Sequence, residues 1–321
     1  MNALATLLAA VLLQVPPPAD TLRLMFWNLE NCFDWIDSGT GSSDAEFSSR
    51  GERHWTRKRL KIKLNAISKG ILWAASEEGS LPDAIGLAEV ENRYVLQRLL
   101  EDTPLRKTGY KILHFDSPDP RGIDVALLYR PSKLRLRTTK ACHLYDGDSL
   151  LRTRDILLAT FEGADGTALA LAVNHHPSKY GGVSVSDPRR KIAVERLRFL
   201  ADSLCAEDIE NLVAMGDFND TPANPVYKLL EPTLNNWAEP LFQKGLGTIK
   251  YDGQWELIDM LFASGHLNGQ MKILQIPFLM TPDTAHAGKK PLRTYSGPRY
   301  LGGVSDHCPI WGTLFIGPKE S

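Results

Sequence analysis

Glu89 and Asp306 are hard oxygen donors of the kind that hold Mg²⁺ or Mn²⁺, and Asn28 and Asp217 are further candidates for the same role. Asn28 and Asn219 carry amides that can hydrogen-bond a phosphate oxygen or orient a water. His175 and His307 can carry a proton or stabilise developing charge, and Asp259 adds another carboxylate. Such a set fits metal-assisted attack of water on phosphorus. Other chemistries lack their signatures: the chain has no GxSxG, no P-loop and no GxGxxG. Singly, each residue has an ordinary explanation. An Asp after a strand caps a turn, the histidines at 175 and 176 suit a surface, and the Asp–His pair at 306–307 suits a structural hydrogen bond.

Their shared placement argues against coincidence. LMFW ends at Asn28, IGLA at Glu89, LAV at Asn174 and His175, and LVAMG at Asp217 and Asn219. ELI leads into Asp259, and GGVS leads into Asp306 and His307. Apolar strands make a rigid floor whose ends can project side chains into one crevice. Strands are expected at 22–28, 84–90, 110–115, 123–130, 156–161, 168–174, 211–216, 257–262, 271–276 and 310–316. Several are continuously apolar, as strands covered on both faces are. Two helices alternate with them. One carries Leu60, Leu64, Ile67 and Ile71 on one face. In the other, Asp187 caps, Pro188 sits in the first turn, and Ala193, Leu197, Leu200 and Leu204 form the stripe. The mixture predicts sheets with helices packed outside them.

The 321 residues parse as an N-terminal segment, 1–20, and one domain, 21–321. The apolar run Ala3 to Val15 is too short to span a bilayer and suits a signal-peptide core before a Pro-rich break, which predicts export to the periplasm or outside the cell; the alternative is a loose, disordered apolar segment on a cytoplasmic protein. No stable membrane insertion and a monomer are expected. The four cysteines form no CxxC pair, which speaks against zinc and against a dense disulfide framework, though one or two bridges fit an exported protein. A net charge of −1 means that a polyanionic substrate needs a local basic patch or metal ions.

The ordered motifs WNLEN (27–31), LAEVEN (87–92), GIDVALLYRP (122–131), VNHHPSKYGG (173–182), GDFND (216–220), LIDMLF (257–262) and SDHCPI (305–310) resemble those of the endonuclease/exonuclease/phosphatase superfamily. The resemblance spans nearly all of the chain after residue 20. It implies a four-layer α/β sandwich, with two mixed β-sheets face to face and helices outside. It also implies phosphoester hydrolysis with one or two divalent ions, Mg²⁺ or Mn²⁺. By the same resemblance, Glu89 is the principal metal ligand, with Asn28 and Asp306 beside it. His175 binds phosphate, while 176 is a position that tolerates other residues. Asp217 and Asn219 orient the attacking water and bind the scissile phosphate, Asp259 positions phosphate or leaving group, and His307 is general base or charge stabiliser. RGID does not closely match the arginine-rich contact of the deoxyribonuclease branch, which leaves the proton donor to the leaving oxygen open.

Two further cations are substrate-binding candidates. Lys179 follows the phosphate histidine directly, and Arg293 lies in RTYSGPRY with Tyr295 and Arg299; for both, a plain surface loop is the alternative. The basic arc from Arg50 to Lys63 reads as the solvated face of a helix or as a phosphate-contacting edge. The functional expectation is a metal-dependent phosphodiesterase or endonuclease acting on nucleic acid. The alternatives are a phosphoesterase for a small or lipid-headgroup substrate, or a binding scaffold that has lost activity.

Overall fold

In the computed structural model, which describes residues 21–163, 166–178 and 183–315, each expected strand is found close to its expected bounds. The N-terminal apolar segment and Lys179 lie outside the described residues. In chain order the first strands are β1 (Thr21–Cys32), β2 (Ala84–Val90), β3 (Lys111–His114), β4 (Asp124–Tyr129), β5 (Leu134–Cys142) and β6 (Ile156–Gly163). They are followed by β7 (Ala168–His175), β8 (Asn211–Asp217), β9 (Leu234–Asn236), β10 (Asp259–Ser264), β11 (Asn268–Ile273) and β12 (Ile310–Phe315). Three helices carry the outer layers: α1 (Arg57–Glu77), α2 (Arg93–Glu101) and α3 (Val183–Ala206).

One six-stranded sheet runs β11-β12-β1-β2-β4-β3 and the other β9-β10-β8-β7-β6-β5. Within each, only the central pair is parallel, β1 with β2 and β7 with β8. Both are therefore mixed sheets, and the architecture is the expected α/β sandwich. Strand alternation explains how it holds together. Leu22, Leu24 and Phe26 of β1 enter the core between the sheets, while Met25, Trp27 and Leu29 face the helix side. There they meet Leu60, Leu64, Ile67 and Ile71 of α1, each buried side chain contributing about 1.5–3 kcal/mol. Thr56 caps α1 by accepting from the Arg59 N–H. Leu197, Leu200 and Leu204 of α3 join the core on the other sheet, as their spacing predicts.

Three features differ from expectation. β5, LRLRTTKAC, escapes the apolar pattern because it is an edge strand with Arg135, Arg137 and Lys140 interleaved. Helix α3 begins at Val183, so Pro188 lies beyond its first turn. The basic arc is not uniformly solvated: Arg50, Arg57, Lys58 and Lys61 are exposed, but two of its cations turn inward. Lys63 is fully buried on α1 and donates to the Glu30 carbonyl and the Thr294 hydroxyl. Arg59 stacks over Tyr300 at 4.3 Å. All four cysteines are unpaired, and no helix among the described residues is long and apolar enough to cross a membrane.

Candidate active site

Alternation in β1 decides the first site residue. Asn28 continues the series Leu22, Leu24, Phe26 and so faces the second sheet. Its Nδ2 donates to Asp217 Oδ2 at 2.9 Å, joining the two sheets at their site end. Its Oδ1 accepts from the Glu30 N–H at 2.9 Å. The amide is thus engaged at both ends, which suits an orienting group.

Glu89 arrives by a different device. β2 slips register between Ala88 and Val90 against both neighbours, and Glu89 has φ 59°. The bulge puts Val90 on the helix side although Ala88, two residues earlier, faces the other sheet. Glu89 is left to turn toward the strand ends, in a left-handed conformation that a non-glycine residue adopts only at a cost. Its Oε2 accepts from the Asn31 N–H at 2.8 Å, and Arg121 approaches Oε1 at 3.4 Å. Burial would raise the Glu89 pKa, but Arg121 and the Asn31 hydrogen bond outweigh it and the carboxylate is held below its ordinary range.

On the second sheet, His175, Asp217 and Asp259 lie in one row across β7, β8 and β10, since Asp217 is in register with both others. His307 completes the group from the loop before β12. Its Nδ1 lies 2.8 Å from Asp259 Oδ2, and its Nε2 lies 3.8 Å from both Asp217 Oδ2 and Asp306 Oδ1. A carboxylate accepts only, so Nδ1 is the donor and Asp259 fixes the ring. Burial alone would depress the His307 pKa, but Asp259, Asp217 and Asp306 raise it well above its ordinary value. Asp217 is pushed up to about 7, first by burial and then by Asp259, against the pull of His307 and Asn28. His175 goes the other way. Burial, with the cations Arg154 and Arg121, holds it well below its usual value, so it is a neutral imidazole 3.6 Å from Asp217.

Asn219 follows in a left-handed turn with φ 53°. Its N–H donates to Asp217 Oδ1 at 2.9 Å and its Nδ2 to the His176 carbonyl at 2.8 Å. His176 itself packs edge-on against Phe218 at 4.6 Å, and its pKa is lowered to about 3 by burial. Arg293 is not a free rim cation: it reaches Glu30 at 2.9 Å and Asp306 at 3.0 Å.

The donor set suits a hard divalent ion. Glu89 and Asp306 present carboxylate oxygens, and the buried Oδ1 of Asp259 has no hydrogen-bond partner. Among the described residues two groups bring possible ligand atoms within 4.8 Å of one another: His114, Asp116 and Asp124, and, at this site, Asp217, Asp259 and His307, whose shortest contact is the Asp259–His307 hydrogen bond. Three supporting residues were missed in the sequence. Ser305 accepts from the His307 N–H and donates to the Asn28 carbonyl. Arg121 and Arg154 sit in loops distant in sequence from the motifs they support. Only the position of Ser305 beside Asp306 offered a signal.

A sequence model described as the endonuclease/exonuclease/phosphatase family matches residues 23–315. The chain belongs to this family. It is a phosphoesterase of the family, whose members typically depend on a divalent metal. No curated protein matches the chain in sequence. Solved structures similar to it include the human Nocturnin catalytic domain with a bound sulfate anion (19% identity, TM-score 0.59, covering 92% of this chain and 93% of that one). A mannosyl-6-phosphatase from Bacteroides thetaiotaomicron matches at 15% identity and TM-score 0.59, covering 92% and 100%. TDP2 from D. rerio, complexed with a single-strand DNA product, matches at 15% identity and TM-score 0.55, covering 92% and 99%. At these identities the structural likeness speaks to the fold alone.

Proposed function

We propose that this phosphoesterase is a divalent-metal-dependent phosphodiesterase that cleaves nucleic acid endonucleolytically. The observation that carries the reading is the convergence of Asn28, His175, Asp217, Asp259 and His307 from two sheets on one point. A Mg²⁺ or Mn²⁺ ion held by Glu89 and Asp306, with Asn28 steadying the site, would neutralise and polarise the phosphate.

Asp217 is fixed by Asn28 on one oxygen and by the Asn219 N–H on the other. With a pKa near neutrality it is suited to orient a water and take its proton. His175, neutral, offers a ring N–H to a phosphate oxygen, and Asn219 retains a second amide hydrogen for another. His307, held as a cation by Asp259, stabilises the charge that builds on the phosphate oxygens. Lys179 would add a phosphate contact, and Arg293 would act on the substrate through Asp306.

Nucleic acid is favoured over a small substrate by the cluster of arginines around the site, Arg121 and Arg154 among them, in a molecule without excess positive charge overall. The nearby fold of TDP2, solved with a DNA product, is compatible with this reading. The fold of a mannosyl-6-phosphatase is as close, so a sugar phosphate is the second reading. Supercoiled plasmid incubated with the protein and Mg²⁺ separates them. Nicking that EDTA and His307→Ala abolish supports the nuclease. Intact plasmid alongside phosphate release from sugar phosphates overturns it in favour of the phosphatase.

A further inference from the structure

Beside the site, a cleft of about 640 Å³ opens between three loops, a short helix at Ser42–Glu46 and the start of α3, lined in part by Arg121, Arg152, Thr153, Arg154, Ser178 and Arg189. It is built from the site outward. Arg121 approaches Glu89 at 3.4 Å and donates to Asn31 Oδ1 at 3.1 Å. Arg154 is buried and donates to the His176 carbonyl at 2.6 Å, the same oxygen that anchors the Asn219 amide. One carbonyl therefore separates the cleft wall from the proposed phosphate-binding amide.

The charge in this cleft is not balanced within it. Of its two carboxylates, Asp119 accepts from Arg154 at 2.9 Å, and Glu46 is paired with Arg53 outside the lining. Arg152 and Arg189 are exposed, and their side chains make no ion pair or hydrogen bond among the described residues. Two buried polar atoms also lack partners, Arg154 Nε and Thr153 Oγ1. Orphaned buried donors are uncommon in a folded chain. Guanidinium groups match phosphate oxygens two at a time, which lysines on an open surface do not.

We infer that this cleft is a second phosphate subsite, which takes a phosphate of the substrate adjacent to the one being hydrolysed. The inference rests on the phosphodiesterase reading and narrows it to substrates carrying at least two phosphates. The second phosphate is either the next linkage of a nucleic-acid chain or a terminal phosphate on a small molecule.

The test compares two chromogenic substrates with the same scissile bond, thymidine 5′-(p-nitrophenyl phosphate) with and without a 3′-phosphate. In the full chain with Mg²⁺, KM is expected to be about tenfold lower when the 3′-phosphate is present. The double variant Arg152→Gln/Arg189→Gln is expected to lose that preference. Arg106→Gln/Lys133→Gln, at exposed positions lining neither the cleft nor the site, is expected to keep it. Melting curves confirm that each variant is folded. An equal ratio of KM values in wild type and in the Arg152/Arg189 variant overturns the subsite. A third substrate, with the 3′-phosphate esterified to a second thymidine, separates the sources. Retained preference identifies a chain linkage, and lost preference a terminal phosphate. If no substrate turns over with Mg²⁺ or Mn²⁺, the phosphodiesterase reading fails by itself, and calorimetry with thymidine 3′,5′-bisphosphate decides the subsite. Binding weakened about tenfold in the Arg152/Arg189 variant supports it, and equal binding overturns it.

Discussion

Asp259 makes its contribution through His307. Its Oδ2 accepts from His307 Nδ1 and leaves Nε2 facing Asp217 and Asp306. Replacing Asp259 by Asn removes both the charge that keeps the ring cationic and the certainty of its tautomer. Asp259→Asn is expected to lower kcat by about 10²–10⁴-fold with little change in melting temperature, as measured by steady-state hydrolysis and thermal melts. A second residue links protonation to stability. Glu91 is buried, with one oxygen accepting from the Asp34 N–H and the other unpartnered. Burial, then Asp34 and Asp44, push its pKa up from 4.5 to about 8. A raised folded value means that the folded state binds the proton more tightly. The stabilisation is complete below the ordinary value and is lost as pH rises through about 8. Glu91→Gln mimics the protonated form, so its melting temperature is expected to gain on wild type between about pH 5 and about pH 9. A constant difference across that range contradicts the assignment.

At the scale of elements, much was legible because the strands are buried on both faces and read as apolar runs. The polar residues that end them were visible for the same reason, since Asn28, Glu89 and Asp217 interrupt those runs. What the runs could not reveal was direction. The bulge that re-aims Glu89 depends on a backbone angle that a glutamate does not announce. Edge strand β5 has charged residues on its open face and looks like a loop. Arg121 and Arg154 come from separate loops, and only tertiary closure brings them to the same crevice. Close approach is testable at two glycines. A Cβ at Gly216 would lie 2.4 Å from the Asn174 backbone oxygen, between β7 and β8 and next to Asp217. A Cβ at Gly86 would meet the Met215 sulfur at 2.8 Å, between the two sheets. A methionine tip moves more easily than a paired backbone. Gly86→Ala is therefore expected to cost about 1 kcal/mol and Gly216→Ala about 3 kcal/mol in denaturant unfolding. The reverse order contradicts the packing described here.

For the whole molecule, two six-stranded sheets meet face to face, and the acidic site spans their shared end. Asp306 pushes up the pKa of Glu30 and Asp259 that of Asp217, so the site holds mutually repelling carboxylates that a cation would relieve. Mg²⁺ at about 100 times its Kd is expected to stabilise the fold by about 2.7 kcal/mol, read as a rise in melting temperature that EDTA reverses. Glu89→Gln is expected to lose most of that rise. The chain belongs to a family of phosphoesterases, and this site is the proposed place of that hydrolysis. The most direct measurement is release of p-nitrophenol from bis(p-nitrophenyl) phosphate by wild type, Glu89→Gln and His307→Ala, each with Mg²⁺ and with EDTA. Turnover by wild type that EDTA abolishes and both variants lose is the predicted result. Turnover that persists in EDTA, or in a folded His307→Ala variant at the wild-type rate, would contradict the site as described.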